Sequence, residues 1–364
     1  MGRGIMMSDE GRILQCLIML TRNCNLRCNF CFEKNSGYSA EHRIDYANLK
    51  KIVDFCSEAK VKYIVFSGGE PLLYPQLVDI LQYIKSNHPS ITATIATNGV
   101  LLEDPALCKR LVDSGIKYID LSMKGSDSQE WCQVTGYDGS AQQQQAIRNL
   151  STLPVEFSCS MVVTPENVST LCDAVQVAYD NGARQFSFTF VIDNEDAEEK
   201  DRMYLLNHNP FMLINGFLSQ VDRLNTITHE WWIEYSFPMC VYTEEQLIFL
   251  KGKLAEPCYV HMRNAVIFDT DMNLLPCDMY TEQKMGRFGV DFSSYQEFEE
   301  LSGRPSYQDM MDVLDKLPSS ECASCRYLES CYGGCPVLWK NYSFEALKAF
   351  KKESELPHQI NPHL

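Results

Sequence analysis

The sequence is short of positive charge. Lys and Arg number 32 against 48 Asp and Glu, a formal net charge of −16 over 364 residues. Such a surface repels a phosphate backbone, so broad nucleic-acid binding is excluded unless a local basic patch offsets it. No run of 18 apolar residues occurs, which leaves no candidate for a membrane-spanning helix. The opening stretch, MGRGIMMSDEGR, lacks the apolar core of a secretory signal, so a reducing, cytoplasmic setting is expected. The seven histidines form no H-x3-H or HExxH pattern, and there is no Walker A loop and no G-x-G-x-x-G dinucleotide fingerprint. No internal repeat is present.

What is there is a globular balance, with 45% apolar and 22% charged residues, and an excess of cysteine, 16 in all. A disulfide scaffold is normally short and secreted, so cysteines in a chain of this length point to metal binding. The first 200 residues alternate strand-like and helix-like patterns. Leu14–Leu20, Tyr63–Phe66, Ile91–Thr97, Tyr118–Ser122, Glu156–Val163 and Gln185–Val191 read as buried strands. Between them, Tyr46, Leu49, Ile52, Val53 and Cys56 share one helical face, as do Val168, Leu171, Cys172, Val175 and Ala178. Thr164-Pro165 suits the start of the second of these helices and Asn181-Gly182 its end. Gly115 ends another helix ahead of the strand at Tyr118.

Six strand–helix units in a row predict an α/β fold, a partial (β/α)6 barrel with a parallel sheet and right-handed crossovers. Chemistry is then expected at the C-terminal strand ends. The alternation stops near 225, and cysteines cluster at 240, 258, 277, 322, 325, 331 and 335. The expected division is a barrel over 14–225, a small cysteine-rich unit over 240–340, and a terminal helix (Phe344–Lys352) with a tail over 341–364.

Directly after the first strand stands T-R-N-C-N-L-R-C-N-F-C, with Cys24, Cys28 and Cys31 spaced C-x3-C-x2-C. A loop this tight can aim three thiolates at one iron–sulfur cube, which wants four. Structural zinc prefers four closed ligands, and neither Cys16 nor His42 continues the pattern. Ser67-Gly68-Gly69-Glu70-Pro71 follows the second strand, Thr97-Asn98-Gly99 the third, and Ser122-Met123-Lys124-Gly125 ends the fourth. The two glycines at 68 and 69 suit a close approach to the backbone, since neither carries a Cβ. Thr97-Asn98-Gly99 also suits a plain turn. Near the end, Cys258-x18-Cys277 precedes Cys322-x2-Cys325-x5-Cys331-x3-Cys335.

In these motifs the sequence resembles radical S-adenosylmethionine (SAM) enzymes with a C-terminal SPASM domain, above all peptide- and protein-modifying maturases. The resemblance spans roughly residues 14–340. It implies a [4Fe–4S] cluster on Cys24, Cys28 and Cys31, with the aromatic Phe30 before the last of them. The open iron would take the amino and carboxylate groups of SAM, whose reductive cleavage gives a 5'-deoxyadenosyl radical. It assigns Gly68, Gly69, Glu70 and Pro71 to the SAM amino group, Thr97 and Asn98 to the same cofactor, and Ser122 to its ribose. Lys124 replaces the Asp usual in relatives and is expected to meet the SAM carboxylate or substrate. Cys258, Cys277 and Cys335 would hold a first auxiliary cluster. Cys322, Cys325 and Cys331 would hold a second one that lacks its seventh-cysteine ligand, unless one auxiliary cluster is absent. Zinc is the rival reading of this region. Met272 stands where relatives have Gly.

Cys240, in Phe-Pro-Met-Cys, has three readings: a ligand of the first auxiliary cluster, a hydrogen-atom donor, or a buried thiol. Cys16, Cys56, Cys108, Cys132, Cys159 and Cys172 are expected to pack in the core, with Cys132 in an irregular stretch. Asp193, Glu195, Asp196, Glu198 and Glu199 face the barrel mouth, where they greet a basic peptide or begin a helix. His261, beside Cys258, is not assigned to a metal.

The implied activity is a maturase that abstracts hydrogen from a residue of a ribosomally made peptide and leaves a crosslink or an epimerised residue. The alternatives are a sulfatase-type maturase, a tetrapyrrole or quinone cofactor enzyme, or a zinc-bound interaction protein. The implied partners are the precursor peptide and an electron donor of flavodoxin or ferredoxin type. The stretch before residue 14 leaves no room for a leader-binding winged helix, so a separate leader-binding protein, or the cysteine-rich region itself, is expected to take that role.

Overall fold

The computed structural model describes residues 13–31, 38–192, 209–235 and 237–355. The acidic run Asp193, Glu195, Asp196, Glu198 and Glu199 lies outside them. Each of the six expected strands forms: β1 (Gln15–Met19), β2 (Tyr63–Ser67), β3 (Thr92–Thr97), β4 (Tyr118–Met123), β5 (Glu156–Val163) and β6 (Phe186–Phe190). They lie in sequence order and every neighbouring pair is parallel. The connections carry α1 (Tyr46–Glu58), α2 (Leu77–Asn87), α3 (Pro105–Asp113), α4 (Ser128–Thr135), α5 (Ser140–Ser151) and α6 (Leu171–Asp180). Asp45, Asp104 and Asp127 each accept a backbone N–H at the start of α1, α3 and α4, the bond that a helix N-terminus cannot make internally.

The alternation continues past the expected six units. After α7 (Pro210–Ile227), β7 (Trp231–Ile233) adds a parallel strand beside β6. The strand is only three residues long, too short for its period to show in sequence. On the opposite side, β8 (Ala265–Phe268) pairs parallel with β1, and β9 (Asn273–Leu275) and β10 (Gly286–Arg287) follow antiparallel. The cysteine-rich third therefore extends the barrel sheet, which has ten strands among the described residues.

Two local expectations are corrected. Residues 165–170 are turns and α6 begins at Leu171. Asn167 explains this: its side chain accepts from Thr164 N and donates to Val162 O, so a local turn outcompetes the helix. Cys132 lies on α4 and is exposed, whereas Cys16, Cys56, Cys108, Cys159 and Cys172 are buried. Gly115 does end α3, in a left-handed conformation that only glycine adopts freely. After α8 (Glu244–Phe249), the remaining helices are α9 (Tyr295–Ser302), α10 (Pro305–Asp315), α11 (Leu328–Cys331), α12 (Leu338–Asn341) and α13 (Phe344–Glu355).

Strand alternation divides the side chains of the sheet. Ile18, Ile64, Ile95, Ile119 and Phe188 face the helices and are fully or almost fully buried. The concave face carries Tyr118, Asp120 and Ser122 of β4 beside Ser158 and Ser160 of β5 and Ser187 of β6. A closed eight-stranded barrel fills this space with branched apolar side chains. Here β4–β6 present small hydroxyls and an acid, while Leu17 and Met19 of β1 share that face with Ile267 and Leu275.

Phe55 of α1 joins the two ends of the chain. Its ring meets Phe268 at 6.0 Å, Phe288 and Phe292 at 5.7 Å, and Phe298 at 5.8 Å, all edge-on. Phe55→Ala is expected to cost about 3–5 kcal/mol, measured as a lower denaturation midpoint, with loss of the C-terminal packing seen as faster proteolysis after residue 260.

Candidate active site

The cysteine loop leaves β1 at Leu20 and is gripped from two sides. Gly69 N donates to Thr21 O and Glu70 N to Asn23 O, both at 2.7 Å. Arg27 N and Asn29 N donate to Thr135 O and Val134 O at the end of α4, at 3.0 and 2.9 Å. A Cβ on Gly69 would stand 2.3 Å from Asn23 O, and one on Gly68 would stand 2.4 Å from Thr21 O. The glycines are thus required by the cysteine loop itself, which must lie against them.

Glu70 locks this arrangement. It is fully buried, accepts from Leu72 N at 3.0 Å and Thr97 Oγ1 at 2.6 Å through one oxygen, and from Asn98 N at 2.9 Å through the other. Burial pushes its carboxyl above the ordinary range, while these bonds and the charge of Lys124 oppose the shift. Asn98 then donates to Asn25 Oδ1 at 2.8 Å and accepts from Val100 N at 3.0 Å. Gln143 of α5 donates to Asn98 O and to Ser122 O, both at 2.9 Å, tying β3 to β4. Gln143 gave no sequence signal beyond sitting in a run of glutamines.

The three thiols gather at this mouth. Burial pushes Cys24 up to about 11, and the charges of Glu70, Cys28 and Cys31 act in the same direction. The Tyr38 hydroxyl is raised by burial, then by Cys31, to which it is hydrogen-bonded, and by Cys24 and Cys28. Cys24 and Cys28 rest on an apolar patch of Leu26, Val100 and Trp131. The three soft sulfurs on one loop have the chemistry of iron–sulfur ligands. Among the described residues no three His, Cys, Asp or Glu side chains lie close enough to hold a single ion.

Lys124 lies on the lumen side of the loop and is 7% exposed. Its Nζ donates to Ser122 Oγ at 2.6 Å and sits 5.3 Å from the centre of the Phe30 ring. Among the described residues it forms no ion pair, and one of the three donors of its Nζ goes to Ser122. Deeper in the lumen, Asp120 accepts from Ser158 at 3.2 Å and Ser160 at 3.1 Å, and Tyr118 donates to Ser158 at 2.6 Å. Glu234 accepts from the Trp232 indole at 2.5 Å. Burial raises both carboxyls; for Asp120 the two serines and Lys124 oppose the rise, and for Glu234 Asp120 adds to it. The sequence reading missed this layer because each residue is unremarkable until the strands align.

Six of the seven C-terminal cysteines fall into two groups. Cys258, Cys277 and Cys335 surround Asp278, which accepts from Cys277 Sγ at 3.2 Å and whose charge acts on all three. Cys322 is influenced by Cys331 and Cys325 instead. His261 donates its backbone N–H to Cys258 Sγ at 3.4 Å and packs edge-on to Tyr235. Cys240 is exposed as a residue, while its sulfur is partly withdrawn from solvent. No disulfide joins any of the sixteen cysteines, and no helix of the described residues is long and apolar enough to cross a membrane.

Residues 18–178 match the radical SAM superfamily. The chain is 30% identical over 137 residues to GTP 3',8-cyclase of Chlorobaculum tepidum, covering 38% of this chain and 41% of that protein. It is 23% identical over 185 residues to AdoMet-dependent heme synthase of Methanosarcina barkeri, covering 50% and 52%. The matches thus span about two-fifths to a half of these relatives. In fold it is similar to Streptococcus suis SuiB bound to precursor peptide SuiA, with a TM-score of 0.66 at 18% identity over 90% of this chain and 72% of that one. It is also similar to anSMEcpe with bound AdoMet and Cp18Cys peptide, with a TM-score of 0.63 at 19% identity over 94% and 98%.

Since folding raises the carboxyl pKa of Asp120, its contribution to stability is complete below the ordinary carboxylate range. That contribution is lost as pH rises through the raised value. Asp120→Asn is therefore expected to melt higher than the unchanged protein at pH 8, with the gain fading as pH falls toward about 4. Thermal melts across this range check it; a gain that does not depend on pH contradicts the desolvation argument.

Proposed function

We propose that this chain, which carries a radical SAM domain over residues 18–178, is a maturase that abstracts a hydrogen from a residue of a ribosomally made peptide, giving a crosslink or an epimerised residue. The observation that carries the reading is the gathering of Cys24, Cys28 and Cys31 at the mouth of a lumen lined by hydroxyls and an acid along β4–β6. When bound, the reduced [4Fe–4S] cluster and SAM supply a 5'-deoxyadenosyl radical. The chain's own residues hold, orient and shield. Cys24, Cys28 and Cys31 are the cluster ligands. Glu70, Thr97 and Asn98 are positioning residues, because their side chains bond to the scaffold that fixes the cysteine loop. Gly68, Gly69 and Pro71 complete that loop, and Ser122 and Phe30 flank the place for the cofactor.

Two features support a peptide over a small molecule. Two of the solved structures similar in fold, those of SuiB and anSMEcpe, each hold a peptide. The lumen also offers a row of hydroxyls and carboxylates, which suits the amides and cationic side chains of a peptide. The curated relatives favour a second reading, a cofactor-biosynthesis enzyme, but their match is confined to part of each protein. Three further thiols in each of two C-terminal groups support auxiliary iron–sulfur clusters, in the cysteine-rich unit proposed for 240–340. A flavodoxin- or ferredoxin-type protein would supply electrons, and the free thiols suit a reducing cytoplasm.

The test is anaerobic incubation of reduced protein with SAM and the peptide encoded beside its gene. The expected result is 5'-deoxyadenosine together with a peptide mass lowered by two hydrogens, or unchanged mass with an inverted residue. Formation of 5'-deoxyadenosine with no peptide change across neighbouring candidates favours the cofactor reading. Lys124 is proposed to receive the SAM carboxylate. Lys124→Met should weaken SAM binding about tenfold or more by calorimetry on cluster-loaded protein, and unchanged affinity would remove the assignment.

A further inference from the structure

We infer that Cys240 is the fourth thiolate of the C-terminal auxiliary site, closing a four-cysteine set with Cys322, Cys325 and Cys331. This rests on the auxiliary-cluster reading above and deepens it. By spacing, that set ends one ligand short, and Cys240, 82 residues before Cys322, would be expected near the other set if anywhere.

The backbone places it otherwise. Tyr235 and residues 237–241 lie across the cysteine turn that ends α11. Met239 N donates to Cys331 Sγ at 3.2 Å, Ser330 Oγ to Met239 Sδ at 3.7 Å, and Tyr235 OH to Cys331 O at 2.7 Å. Gly334 makes this crossing possible, since a Cβ there would stand 2.7 Å from Pro238 N. Pro238 then leads into a single 3-10 turn, Met239–Val241. Val241 is buried and anchors the turn, while Cys240 points outward, next to the residue whose N–H already caps a cluster-group sulfur. Hydrogen bonds from backbone N–H groups to ligating sulfurs are a standing feature of iron–sulfur sites.

The charges felt by Cys240 agree. Cys331 and Cys322 are the thiols whose charges act on it, and Lys351 Nζ donates to Cys240 O at 3.1 Å. Neither Cys258, Cys277 nor Cys335 is among these neighbours; those three lie around Asp278. The chain therefore divides its ligands unevenly. One site has four thiols, and the other has three thiols and a carboxylate.

The test compares full-length protein with Cys240→Ala, Cys331→Ala and Cys258→Ala variants, each reconstituted anaerobically. Iron and sulfide are assayed, and reduced samples are examined by electron paramagnetic resonance and Mössbauer spectroscopy. The expected outcome is that Cys240→Ala and Cys331→Ala perturb the same spectral component, with loss of about four irons or of that component's all-thiolate signature. Cys258→Ala should perturb a different one. In iodoacetamide mapping, Cys240 should be protected in loaded protein and labelled after chelation. Unchanged iron and spectra in Cys240→Ala, or free labelling of Cys240 in loaded protein, overturns the inference, even if product formation is lost, as for a hydrogen donor. Formation of 5'-deoxyadenosine by Cys240→Ala shows that the Cys24 site survives and separates this failure from failure of the radical reading.

Discussion

A single buried carboxylate sets the geometry on which the site depends. Glu70 accepts hydrogen bonds from its own turn and from the end of β3, while its backbone N–H holds the cysteine loop of β1. Three strand ends that are far apart in sequence are thus fixed to one another through one residue. Its cost is desolvation, which three hydrogen bonds and a cation offset. A glutamine could satisfy only part of this, since an amide cannot accept at both ends.

Around this lock the chain keeps reactive groups apart by strand parity. Apolar side chains of β1–β6 face the helices and form the core. Hydroxyls and acids face the lumen, where Lys124 stands between the thiols and the carboxylates. Its charge acts on Glu70 above and Asp120 below, so one ammonium links the cluster loop to the deeper polar layer.

Much of the barrel was legible in sequence, and the reasons are physical. The six strands are apolar or alternating runs between helices with clear faces, and Glu156–Val163 matches to the residue. The cysteine loop was legible because three thiols at fixed spacing follow a strand end. Three features stayed hidden. β7 and β8 are short, and their place is decided by neighbours found far along the chain. Asn167 cancelled a helix start through side-chain bonds that composition does not reveal. Gly68 and Gly69 looked like a cradle for a cofactor, while their missing Cβ atoms are explained by the loop they touch. The grouping proposed for Cys240 could not be read from spacing, since it rests on Pro238 passing over Gly334.

The pairing of β8 with β1 has a consequence for assembly order. The strand that delivers the cysteine loop is an interior strand of the sheet, and one of its two neighbours lies beyond residue 264. During synthesis the cysteine loop emerges well before β8, so its strand keeps an unpaired edge until residues 265–268 have left the ribosome. β1 and β8 are thus completed together.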